Sequence, residues 1–360
     1  MRQARLLTLP ALMFPLLAWG QNAAASEDPF VQSAKTYAQE AQADWYATYA
    51  EEVASVMKQQ GYLGPELPIP KAQKVQEGVY TVVGSFIWGT RENFGLNNNL
   101  TAVMFDDGVF VYNAGPNPAV AYSFHQQIKR LTDKPVKWLA VENNQGHAYL
   151  GSSYWWDVGV KNLYSQRLAN ENWERSFPED KARYATARGK AITDSARDVT
   201  EHFTTFEDKK VIDVGGGETV ELHNFGGGHT PSMTGVYVPS RNLLFTGDLG
   251  FNERLPGLLH GSNVLEWMAS FERMMETVPE DVTVIPGHGT PSDLPTLKAR
   301  TYDYFADLVE KVQAVIDEGG DAHAAQQVDQ SEYADRPVFE QLAKPNALSV
   351  YETLTADAKN

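Results

Sequence analysis

A chain of 360 residues with 42% hydrophobic and 21% charged residues can bury a sizeable core, enough for one large domain with added helices. Its formal net charge of −16 excludes a general nucleic-acid or anionic-membrane partner, since either needs a basic footprint. Cysteine is absent, which excludes disulfides and thiolate metal sites and leaves His, Asp, Glu, Asn, Gln and Tyr as candidate ligands.

Residues 1–25 read as a secretory signal peptide. Arg2 and Arg5 give the positive start, residues 6–19 the apolar stretch, and Ala23-Ala24-Ala25 the small-residue cleavage site. The apolar stretch is short for a membrane span and is broken by prolines. The expectation is a periplasmic or secreted protein beginning near Ser26, with no membrane span once the signal is removed; an uncleaved anchor is the alternative. Tyr37, Ala41, Trp45, Tyr49, Val53 and Met57 recur every four residues, which predicts a helix over 28–60. The proline-rich stretch 64–70 ends it, so 26–70 form a helical arm and connector.

The pattern then changes period. Residues 79–83, 101–105 and 109–112 are β-branched and aromatic runs that predict strands, with Asp106-Asp107-Gly108 as a hairpin turn. A helix over 119–131, a buried strand over 136–141 and a loop over 145–151 follow. Further on come strands at 211–214 and 219–222, then a hairpin of 235–238 and 243–245 around Ser240-Arg241-Asn242. A helix at 262–278 and a strand at 282–285 close this half. From Leu294 the tail is helical, broken at Gly319-Gly320 and near Pro337. Two strand-rich halves, each ending in a helix and a buried strand, predict an α/β fold layered as an α/β/β/α sandwich.

Three glycine-framed segments carry the chemistry: Gly226-Gly227-Gly228-His229, Thr246-Gly247-Asp248-Leu249 and Pro286-Gly287-His288-Gly289. Each places one metal-type ligand just after a predicted strand. With their strand-rich lead-in, these segments resemble the metallo-β-lactamase-fold hydrolase superfamily. The resemblance implies a four-layer αβ/βα sandwich over 71–295, with a C-terminal helical extension over 296–360. Residues 247–256, Gly261-Ser262, Trp267 and the stretch 346–351 resemble more narrowly the exported members associated with quinoprotein and sulfur-oxidation systems.

In that superfamily a first loop of the form H-x-H-x-D-H supplies ligands to two metals. Here the segment is Gln145-Gly146-His147-Ala148-Tyr149-Leu150. Gln145, Tyr149 and Leu150 replace three of the four ligands, and Asn113 replaces a frequent structural aspartate. The resemblance therefore implies one divalent metal, zinc or else iron or manganese, on His147, His229 and Asp248, with Gln145 and His288 at its edge; binding of no metal is the alternative. Asp248, His288 or Tyr149 would assist proton transfer to a small-molecule substrate. Each residue also has a plainer reading. His229 and His288 can be loop histidines held by backbone hydrogen bonds, Asp248 a turn residue, Gln145 a polar loop residue, and Tyr149 a plug of the vacated position. Arg254 can grip an anionic substrate group or form a structural salt bridge. Two functions follow: an exported hydrolase acting on an ester, lactone, amide or sulfur or phosphorus ester, or a degenerate, non-catalytic ligand-binding or accessory protein.

Overall fold

A computed structural model describes residues 66–357. The signal segment and the helical arm predicted over 28–60 lie outside these residues. The chain builds two sheets. The first joins seven strands: β1 (Gln73–Gln76), β2 (Val79–Val82), β3 (Leu100–Met104), β4 (Val109–Tyr112), β5 (Val136–Ala140), β6 (Asn162–Gln166) and β7 (Phe203–Phe206), side by side in that order. Pairing is antiparallel from β1 to β4 and parallel from β4 to β7. Parallel neighbours need crossovers, and helices α1 (Pro118–Leu131), α2 (Gly146–Tyr149), α3 (Ser152–Asp157), α4 (Arg167–Arg188) and α5 (Lys190–Thr193) lie in them.

The second sheet has the order β13-β12-β11-β10-β9-β8, from β8 (Lys209–Asp213), β9 (Thr219–Gly226), β10 (Met233–Val238), β11 (Leu243–Phe251), β12 (Thr283–His288) and β13 (Ser292–Asp293). Helix α6 (Val264–Thr277) connects β11 to its parallel neighbour β12. Its start is set by Asn263, whose side chain accepts from Glu266 N, a preferred N-cap arrangement. The tail adds α7 (Leu294–Arg300), α8 (Tyr302–Asp317), α9 (Ala322–Ala325) and α10 (Phe339–Asp357).

Strand alternation explains the layers. In β4, Phe110 and Tyr112 enter the apolar seam between the sheets, while Val109 and Val111 face the helices of the first half. In β11, Leu243 and Phe245 enter the same seam, and Leu244 faces α6 and the tail helices. Both faces of each sheet are thus buried, as the α/β/β/α sandwich requires. The tail shares one core with α6: Leu308, Val312, Ala347 and Val350 pack in the cluster that holds Trp267 and Phe271. Among the described residues no helix is long and apolar enough to cross a membrane.

Several elements escape the sequence pattern, among them β1, β6, the short helix α3, and α2, which stands where a loop was expected over 145–151; three others show why. Helix α4 is 22 residues long, contains Pro178 and fully buries only Ala169, Trp173 and Tyr184, so its apolar period is faint. Strand β7 buries only its two ends. Strand β11 runs on through Gly247 and Asp248 to Phe251, where the glycines read as a loop.

Candidate metal centre

The site lies at the ends of β4, β5, β11 and β12, and it is built around Asp248. Gly247 adopts φ +54, and the register between β11 and β12 shifts on either side of it. The resulting kink turns Asp248 inward, where it is 1% exposed. Glu142, just after β5 and also 1% exposed, accepts a hydrogen bond from Asp248 N through Oε2. Its Oε1 accepts from Asn113 Nδ2 at 2.8 Å, and Asn113 Oδ1 accepts from Glu142 N at 3.1 Å. Asn143 Nδ2 donates to Asp248 Oδ2 at 2.8 Å.

Three imidazoles surround this carboxylate. His147, on α2, has Nε2 3.4 Å from Asp248 Oδ2 and 3.1 Å from Glu142 Oε1. His229, in the turn between β9 and β10, has Nε2 3.4 Å from Asp248 Oδ2. His288, the last residue of β12, has Nε2 2.8 Å from Asp248 Oδ1. The second ring nitrogens fix the tautomers. His229 Nδ1 faces Gly257 O at 3.1 Å and His288 Nδ1 faces Asn97 O. A carbonyl only accepts, so both Nδ1 atoms donate, and each neutral ring turns an Nε2 lone pair to the site.

The charges follow from these contacts. Burial opposes ionisation of Asp248, yet the neighbouring imidazoles, the charged His147 first among them, hold its carboxyl well below the usual range. Burial, with Asp248 beside it, pushes the Glu142 carboxyl up. Burial also disfavours a charged His147, but Asp248 and Glu142 outweigh it and raise the imidazole to about 9. His229 is lowered by burial, and His288 falls to about 4 through burial and the Arg254 guanidinium. Two neutral histidines therefore face an ionised carboxylate.

The atoms around the Asp248 carboxylate are of the types that hold a divalent cation. Ligand atoms held about 2.0–2.2 Å from one metal lie about 3–3.5 Å apart, and the His147 and His229 separations from Asp248 fall in that range. Asp248 Oδ1 is buried without a hydrogen-bond partner, although the unprotonated His288 Nε2 stands close by. Two acceptors in contact are repulsive unless a cation serves both. The set that closes most tightly is Glu142, His147 and Asp248, with ligand atoms within 4.8 Å of one another. His229 and His288 reach the same carboxylate outside that set.

Of the residues singled out in the sequence, His147, His229 and His288 thus each approach the Asp248 carboxylate. Gln145 stands at the edge, its side-chain nitrogen 2.9 Å from His229 Nε2. Tyr149 is elsewhere. Its ring stacks on Trp173 at 5.1 Å, and its hydroxyl bonds Ser165 and Asn170. Leu150 is buried in the first-half core. Position 149 therefore fills the interior beneath α4 and gives the site neither a ligand nor a proton carrier. Glu142 escapes sequence reading because no glycine frames it; its only signal is the polar run Glu142-Asn143-Asn144 directly after a buried strand. A cavity of about 170 Å³ opens on the centre, lined by Trp88, Tyr184, Arg188 and Arg254 beside the histidines.

The two-sheet sandwich is the fold of solved metallo-β-lactamases. The Metallo-beta-lactamase superfamily model matches residues 154–288, beginning after the 145–150 loop and ending on His288. Solved structures carry the same fold. A metallo-beta-lactamase from Pontibacter korlensis is 19% identical with a TM-score of 0.51, over 63% of this chain and 95% of that one. TMB-1 is 20% identical with a TM-score of 0.50 over 65% and 97%, and the metallo-beta-lactamase DIM-1 is 19% identical with a TM-score of 0.51 over 65% and 97%. An uncharacterized protein of Aquifex aeolicus (strain VF5) is 38% identical over 79 residues, 22% of this chain and 36% of that protein, so the match spans about a third of that relative's length.

Proposed function

We propose that the protein is a metal-dependent hydrolase with one metal rather than two, acting on a small ester, lactone, amide or sulfur or phosphorus ester. The carrying observation is the convergence of three imidazoles on the buried Asp248 carboxylate, one oxygen of which has no hydrogen-bond partner. His147, His229 and Asp248 would hold the cation, with His288 and Gln145 at its edge. When bound, a divalent cation polarises the substrate's scissile group and acidifies a water for attack. Glu142 fixes Asp248 through its backbone N–H, and its Oε1 faces His147 Nε2, the atom a cation would share. Among the described residues, Glu142 is the other carboxylate in the cluster, and it takes the proton-handling role left empty by Tyr149. Gln145 presents either face of its amide to His229, since O and N exchange by a simple flip.

A second reading, a non-catalytic ligand-binding or accessory protein, is favoured by one contact. A Gln145 amide donating to His229 Nε2 ties up the lone pair a metal would use. Periplasmic export, and a place among proteins of quinoprotein or sulfur-oxidation systems, are part of the same proposal and rest on the sequence alone. Hydrolysis of a panel of small esters by the metal-loaded protein, abolished in Asp248→Asn, is the expected result. Stoichiometric metal without turnover of any of them favours the accessory reading.

A further inference from the structure

Arg254 follows the Asp248 kink and is 2% exposed, yet no carboxylate pairs with it among the described residues. Its Nε is buried and has no hydrogen-bond partner among the described residues. Its Nη1 lies 3.5 Å from His288 Nδ1, but that nitrogen already serves Asn97 O, so the contact satisfies nothing. The guanidinium lies 4.5 Å from the centre of the Trp88 ring. Across the same cavity, Arg188 ends helix α4 with its guanidinium 3.5 Å from the centre of the Tyr184 ring, and its Nη1 is also buried without a partner. Room for it is built in: a Cβ at Gly89 would come within 2.7 Å of Arg188 Nε, and one at Gly95 within 3.0 Å of its Cδ.

A buried guanidinium that no carboxylate contacts directly is costly, and an arriving anion offsets that cost. We propose that the cavity takes a compact substrate bearing an oxyanion, a carboxylate, sulfate or phosphate, seated on Arg254 and Arg188 over the Trp88 and Tyr184 rings. A planar guanidinium fork offers paired donors to such a group. The cavity of about 170 Å³ is below the roughly 300 Å³ of typical small-molecule sites, so the substrate is small. As a statement about substrate class this rests on the hydrolase reading; as a statement about binding it does not.

The test separates the two. Binding of sulfate and of acetate is measured by calorimetry on the chelator-treated full chain, and then on the Arg254→Gln and Arg188→Gln variants. Saturable binding of one of the two anions at one per chain is expected, weakened roughly tenfold to a hundredfold in each variant. Arg188 is only partly buried, so its variant keeps the test open should Arg254→Gln fail to fold. No saturable binding of either anion, or affinity unchanged in the folded variants, overturns the proposal. Anion binding by a protein that takes up no metal would overturn the hydrolase reading alone.

Discussion

Gly247→Ala probes the kink that aims Asp248. Gly247 holds φ +54, and a Cβ there would lie 2.0 Å from Glu142 Oε2 and 2.7 Å from Glu142 Cβ. The left-handed backbone alone costs a side chain about 1–2 kcal/mol. Relief of the collision moves the Glu142 carboxylate off Asp248 N, leaving a buried donor unpaired at a further ~1–3 kcal/mol. The sum is a loss of about 2–5 kcal/mol. Gly217→Ala is the control: it has φ +77 and nothing within 4 Å, so only the backbone cost applies. Urea unfolding of both variants should show Gly247→Ala losing more stability by the collision term. Metal competition should show its affinity reduced about 10- to 100-fold, as for other losses of groups that orient ligands. Equal losses in the two variants, with metal affinity intact, would refute the role given to Glu142.

Glu142→Gln should weaken metal binding by a similar factor while leaving the chain folded, as read by the same competition and by circular dichroism. Tyr149→Phe should cost only about 0.5–1.5 kcal/mol, since the Ser165 hydroxyl keeps its bond to Gln166 O, with metal affinity and turnover unchanged; a large fall in kcat would give Tyr149 a catalytic role. His125, whose Nδ1 lies 2.8 Å from Tyr154 Oη, has its folded pKa lowered by burial from 6.5 to about 4. The unfolded chain therefore binds the extra proton between these values, so stability is full above about pH 6.5 and falls towards pH 4, by up to ~3 kcal/mol. His125→Gln should flatten that acid limb, and an unaltered limb in denaturant titrations would contradict the assignment. Removing metal with a chelator should lower the unfolding midpoint, and returning it at about 100 times Kd should restore ~2.7 kcal/mol.

The layered sandwich was legible because β4, β5, β10 and β12 carry dense β-branched and aromatic runs, which few other structures can bury. His229, Asp248 and His288 were legible because glycines mark where backbone turns sharply beside a side chain. Helix α4 was not, since its exposed surface and internal proline hide the apolar period, and Arg188 and Tyr184 of the cavity were lost with it. Glu142 was hidden for another reason: its neighbours Asn113 and Asp248 lie 29 and 106 positions away, brought together by the β4–β5 pairing and by the packing of the two sheets. Tyr149 sits one turn of short helix from the site, so position in the motif said little about where its ring would pack.

Metal content of the purified protein, measured by elemental mass spectrometry after growth with zinc, iron and manganese, bears most directly on the central claim. One equivalent per chain, lost in His147→Ala, His229→Ala and Asp248→Asn, is the predicted result. Two equivalents, or one that survives these substitutions, would contradict the single centre on Asp248, and near-zero occupancy would contradict the metal site altogether.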